Sequence, residues 1–192
     1  MDQDDDLLIF DDEDQPEASQ GEVEGWNVLV VDDDPEIHTV TQFALNSFTY
    51  CGKPLKLHSA YTAAEARSLL SSETEFTIAL VDVVMESDEA GLELVQWIRT
   101  ERKNDHIRIV LRTGQPGKNP DRDVVARYSI NDYKEKTELT ANKLYTLMYA
   151  CLRNYCEIEA LSKKNEALEK VLSACQKTVS SKTVDEFSDA IL

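Results

Sequence analysis

From residue 26 onward, apolar positions come in short runs separated by amphipathic stretches, a pattern that predicts a parallel sheet covered by helices on both faces. The runs Asn27–Val31, Leu55–Ala60, Ile78–Val81, Arg108–Leu111 and Asn131–Lys134 are the candidate strands. Helix starts are written between them. Asp34-Pro35 sets an N-cap before a first-turn proline, and Thr62-x-x-Glu65 forms a capping box ahead of Ala66, Leu69 and Leu70. A third helix is expected from about Ala90 to Arg102, burying Leu92, Val95 and Ile98, and Asn119-Pro120-Asp121 opens a short fourth. Five such repeats within about 120 residues give the expected fold class: α/β, a flavodoxin-like doubly wound sheet of five parallel strands in the order 2-1-3-4-5, with sites at the carboxyl ends of the strands.

From Thr140 to Val179 the chain has neither proline nor glycine. The pattern predicts one extended C-terminal helix of roughly 60 Å, longer than one small domain can cover. Leu144, Met148, Cys151, Tyr155 and Ile158 form the stripe that packs on the sheet. Beyond them Leu161, Leu168 and Cys175 share one heptad core position, and Asn165, Leu172 and Val179 share the other. The step from Ile158 to Leu161 is three residues where four is due, so the register slips there and marks the exit into a coiled coil. The alternative is an amphipathic helix lying on another domain. Thr183–Leu192 reads as the capped start of a further helix.

Charge narrows the partners. Lys and Arg number 20 against 37 Asp and Glu, a net charge of −17 that argues against direct binding to nucleic-acid phosphates. Eleven of those carboxylates fall within residues 1–24, which hold no Lys or Arg. Such a block repels itself and reads as a disordered acidic tail, interrupted by the apolar island Leu7-Leu8-Ile9-Phe10, which reads either as a segment that docks on a partner or on the protein's own surface, or as solvated tail with no role. No apolar stretch approaches the roughly 20 residues of a membrane helix, and the N-terminus is acidic where a secretory signal is basic and then apolar. A cytoplasmic chain without membrane insertion is expected. Cys51, Cys151, Cys156 and Cys175 show no C-x-x-C spacing and read as reduced, mostly buried thiols. His38, His58 and His106 are too scattered for a metal cluster, and Trp26 and Trp97 read as packing residues.

The chemistry gathers where strands end. Val28-Leu29-Val30-Val31 runs into Asp32-Asp33-Asp34-Pro35, and Ile78-Ala79-Leu80-Val81 ends on Asp82. Adjacent parallel strands would bring Asp32, Asp33 and Asp82 into one pocket, where they repel unless a divalent cation compensates them. Hard oxygen ligands with room for water suit Mg2+. Asp34 is assigned to the helix cap. Val110-Leu111-Arg112-Thr113-Gly114 ends the fourth strand, and Asp132-Tyr133-Lys134-Glu135-Lys136 ends the fifth. A hydroxyl and an ammonium beside the aspartates would complete a phosphoryl-transfer site: Asp82 the nucleophile, the metal and Lys136 neutralising the phosphoryl oxygens, Thr113 donating a hydrogen bond.

Taken together, the stretch from about Trp26 to Tyr149 resembles a response-regulator receiver domain of two-component signalling. The resemblance implies that Asp82 takes a phosphoryl group from a sensor histidine kinase or phosphotransfer protein. It implies that Asp33 and Asp82 bind Mg2+ directly with the backbone carbonyl of Val84, that Asp32 acts through water, that Thr113 and Tyr133 are the switch pair, and that Lys136 pairs with the phosphoryl group. An apolar residue at Val84 is linked in the family to slow loss of phosphate. The chain departs from the family pattern at Met85–Gly91, one residue longer and more acidic, and at Thr137, where the family carries proline. The strings Leu111–Gly117 and Ile130–Leu139 resemble a narrower group, receivers joined through a long helix to a GAF-like domain of uncharacterised function, some with an HD phosphohydrolase domain.

The expected organisation is therefore an acidic tail over 1–24, a receiver over 25–150, a signalling helix or coiled coil over 151–180 that forms a homodimer, and the start of a truncated downstream domain over 181–192. The expected function is non-enzymatic: a phosphorylation-controlled switch in a phosphorelay, controlling a downstream domain. Two other readings compete with it. Asp32-x-Asp34 resembles the haloacid-dehalogenase-type phosphatases, but these want Thr or Val where Glu36 stands, and they leave Asp82 unexplained. A phosphorylation-independent dimerisation scaffold is the alternative within the family.

Overall fold

The computed structural model describes residues 24–114, 130–136 and 140–189, with side chains through 176. Its elements are β1 (Trp26–Val31), α1 (Pro35–Leu45), β2 (Thr49–Tyr50), β3 (Lys53–Ala60), α2 (Ala63–Leu70), β4 (Ile78–Asp82), α3 (Ala90–Thr100), β5 (Arg108–Thr113), β6 (Asp132–Glu135) and α4 (Ala141–Asp189). The sheet runs β2-β3-β1-β4-β5-β6. Its five long strands are parallel and keep the expected order. The sixth, β2, is a two-residue antiparallel edge strand that the pattern did not predict. It is joined to β3 through Cys51 and Gly52, both in the left-handed region at φ 51° and 75°, the backbone of a tight hairpin turn.

Alternation along the strands divides the core in two. Leu29, Val31, Ala79, Val81, Ile109 and Leu111 face α2 and α3. Val28, Val30, Ile78, Leu80 and Val110 face α1 and the first half of α4, meeting Leu45, Leu144, Met148 and Leu152. This parity carries past the apolar runs and decides where the charged residues at the strand ends point.

Caps form as the sequence dictates. Asp34 accepts the Glu36 N–H at 2.9 Å, and Thr62 accepts the Glu65 N–H at 3.1 Å. The Glu65 carboxylate reaches back one residue further than a capping box requires, taking the Tyr61 N–H at 2.7 Å. In α3 Val95 and Ile98 are buried as expected, but Leu94 takes the place of Leu92, which is only half-buried.

Helix α4 is continuous for 49 residues and runs through Thr183 without a new start, since nothing between Val179 and Asp189 breaks a helix. Leu144, Leu147, Met148, Cys151, Leu152 and Tyr155 are buried, and Ile158 is half-buried. Past that point the expected heptad residues Leu161, Leu168 and Leu172 are 63%, 60% and 61% exposed. Tyr155 donates to Glu75 at 2.8 Å, and His106 pairs with Glu159, fastening the helix where it leaves the sheet.

The cysteines are less buried than expected: Cys51 sits in the hairpin turn and Cys175 on the outer helix, both exposed, while Cys156 is half-buried and Cys151 alone is buried. Expectations for the tail at 1–23, for the helix opening at Asn119-Pro120-Asp121 and for Thr137 lie outside the described residues.

Candidate functional site

Four strands deliver the site. β1 ends before Asp32 and Asp33, β4 on Asp82, β5 on Thr113, and β6 just before Lys136. Carboxylate oxygens of Asp32, Asp33 and Asp82 all lie within 4.8 Å of one another. Asp32 and Asp82 are buried, and Asp33 is exposed.

Lys136 joins two of the three. Its Nζ stands 2.8 Å from Asp82 Oδ2 and 3.0 Å from Asp32 Oδ2. Asp82 Oδ1, by contrast, is buried and has no hydrogen-bond partner among the described residues. An orphaned carboxylate oxygen inside a cluster of three acids is the donor set that a hard divalent cation fits, and it costs stability until something binds it. Burial raises the Asp82 carboxyl above its ordinary value. Lys136 and the Val84 N–H pull it down without reversing the shift, and the Asp32 charge adds to the rise. Burial works against the Lys136 ammonium, but its bonds to Asp82 and Asp32 outweigh this and hold it above the ordinary lysine value.

Thr113 is buried at the end of β5, and Tyr133 is half-buried one strand away, where Leu111 is its cross-strand partner. Burial raises the Tyr133 phenol, while a hydrogen bond with Thr113 pulls it down, so the two residues expected to act as a pair are in contact. Val84, expected to offer its carbonyl, lies half-buried two residues beyond Asp82.

Three neighbours of the site are not singled out by sequence reasoning. Gly91 N–H donates to Val83 O at 3.1 Å and brings α3 against the Asp82 loop. His38, buried on α1, has its Nε2 2.8 Å from Asp32 O and its ring 4.5 Å from that of Tyr61. Arg112, 3% exposed, stands 3.4 Å from Asp32 Oδ2. The available signal for Arg112 is a charge directly after the apolar centre Ile109-Val110-Leu111 of β5.

A strand-end cluster of carboxylates with a lysine, a threonine and a tyrosine, carried on a doubly wound sheet, defines a class. The chain belongs to the response regulator receiver domain family, whose model matches residues 28–149. Over 169 residues it is 43% identical to 3'3'-cGAMP-specific phosphodiesterase 2 of Vibrio cholerae serotype O1, a match covering 88% of this chain and 32% of that protein. The chain thus spans about a third of that relative's length. Its fold is similar to the signal receiver domain of an HD domain-containing protein from Pseudomonas fluorescens Pf-5, at 21% identity and TM-score 0.57, covering 70% of this chain and 99% of that one. It is similar also to a response regulator receiver domain protein from Methanospirillum hungatei JF-1, at 20% identity and TM-score 0.56, covering 70% and 98%. Among the described residues no helix is long and apolar enough to cross a membrane.

Proposed function

We propose that this chain accepts a phosphoryl group on Asp82 from a sensor histidine kinase or phosphotransfer protein and switches conformation in response. The observation that carries the reading is the division of one carboxylate: Oδ2 of Asp82 is held by Lys136, and Oδ1 is buried with no partner among the described residues. In the transfer, a carboxylate oxygen of Asp82 attacks the phosphorus of a phosphohistidine, the P–N bond breaks, and the imidazole leaves with a proton, forming an acyl phosphate. Asp33, Asp82 and the Val84 carbonyl would hold Mg2+, with Asp32 acting through water. When bound, the ion neutralises charge on the transferring group. Lys136 pairs with the phosphoryl oxygens. Thr113 donates its hydroxyl to them, and Tyr133, in contact with Thr113, moves inward behind it.

Helix α4 carries the change outward. Its exposed Leu161, Leu168 and Leu172 suit a homodimeric coiled coil in the outer part of the signalling helix 151–180, so residues 25–150 act as the switch and 181–192 lead toward the unit it controls. The identity with a cyclic-dinucleotide phosphodiesterase supports a phosphodiesterase as that unit, in a cytoplasmic protein whose receiver is regulatory rather than catalytic. The test is a titration of the 192-residue chain with fluoroberyllate, a stable phosphoryl mimic, and Mg2+, monitored by amide NMR. Shifts at Thr113, Tyr133, Lys136 and the first half of α4 are expected. An unchanged spectrum, or the same shifts in Asp82→Ala, would overturn the reading.

A further inference from the structure

Arg112 takes no part in the proposed transfer, yet it holds a costly position. Parity along β5 turns Val110 and Arg112 toward α1 and α4, and the guanidinium ends almost completely buried, its Nε without a partner among the described residues. Burial depresses its pKa, and the charges of Asp32 and Asp82 oppose the depression. A guanidinium remains protonated in such surroundings and is retained there at a stability cost unless its charge is used. Its Nη1 donates to Thr41 Oγ1 at 3.3 Å, and its Nη2 stands 3.4 Å from Asp32 Oδ2.

Asp32 is consequently the most heavily compensated acid of the three. Its Oδ1 accepts the Asp34 N–H and a bond from Lys136 Nζ, both at 3.1 Å, and its Oδ2 faces Arg112 and Lys136. Asp82 has Lys136 on one oxygen only, and Asp33 is exposed. Two fixed cations among three carboxylates leave the pocket with one net negative charge rather than two.

We propose that Arg112 is a positioning residue that sets the divalent-cation affinity of the acceptor pocket: by pinning and neutralising Asp32 from the α1 side, it weakens cation binding and leaves Asp33 and Asp82 to carry it. The inference rests on the reading of this pocket as a Mg2+ site, and it concerns how tightly that ion is held. The cavity of about 140 Å³ between α1 and α4, lined by Thr41, Ala44, Arg112, Lys136 and Leu144, gives a substituted side chain room to settle.

The experiment is isothermal titration of Mg2+ into the 192-residue chain and into Arg112→Met, Arg112→Gln and Arg112→Lys, with unfolding curves taken with and without the ion. Removing a unit charge this near the acids should tighten Mg2+ binding at least about fivefold in Met and Gln, while Lys stays within about twofold of the unsubstituted chain. The thermal midpoint should also rise more on adding Mg2+ in the neutral variants, a response that a purely structural arginine would not produce. Gln, which keeps a donor for Asp32 and Thr41, serves if Met does not fold. Equal or weaker binding in the neutral variants overturns the inference while leaving the metal reading intact. Absence of Mg2+ binding in every chain overturns both.

Discussion

Gly91 lies so close to Asp82 that a Cβ on it would stand 1.9 Å from the Asp82 carbonyl oxygen and 2.8 Å from its carbonyl carbon. Both are backbone atoms, so the acceptor loop itself would have to move. Helix propensity alone favours Gly91→Ala by roughly 0.5–1 kcal/mol. The contact predicts the opposite sign, a loss of about 1–3 kcal/mol in urea unfolding. An alanine variant as stable as the original would show that the contact is not restrictive.

Asp82 is charged at a cost, because burial raises its carboxyl and one oxygen has no partner among the described residues. Asp82→Asn removes that charge while Lys136 keeps Asp32 at 3.0 Å. Without metal, the variant should gain on the order of 1 kcal/mol, and it should lose the stabilisation that Mg2+ gives the original chain. A destabilised variant that Mg2+ still stabilises would contradict this.

His58 on β3 contacts Asn27 Oδ1 through Nε2 at 3.0 Å and sets its ring edge-on to Phe76. Burial, and then the Lys56 charge, hold the imidazole below its ordinary value of 6.5. The unfolded chain therefore binds the proton first on acidification. The stability His58 contributes is complete above its unfolded pKa and is lost as pH falls toward the lower folded value. Replacing it with glutamine should flatten the decline of the thermal midpoint between about pH 7.5 and about pH 5. Parallel curves would remove His58 from the account.

Leu168 and Leu172 lie on the exposed length of α4, clear of both halves of the core. Changing both to aspartate should convert a dimer to a monomer in sedimentation velocity and leave unfolding of the α/β domain unchanged. A chain that is monomeric at high concentration, with and without fluoroberyllate, would remove the coiled coil from the proposal.

The strand ends were legible because an apolar run that stops on Asp32 or Asp82 marks both the element and its carboxyl end in one string. Strand β2 was not, since two residues carry no period. Leu147 and Leu152 escaped the predicted stripe because α4 packs against both the sheet and α1, which widens its buried face beyond a single row. Residue type alone points cysteines inward, whereas Cys51 falls in a turn and Cys175 on the outer helix, and position decides their exposure. Gly91 depends on α3 meeting the Asp82 loop, which its own neighbourhood does not announce, and the charge that marks Arg112 does not say which acid it meets.

The central claim is that Asp82 takes the phosphoryl group. Intact mass after incubation with acetyl phosphate and Mg2+, beside an Asp82→Ala control, tests it most directly. The account predicts a gain of one phosphoryl group in the original chain and none in the control. An unchanged mass in both, or an equal gain in both, would contradict it, and no gain with any donor would point instead to a phosphorylation-independent scaffold.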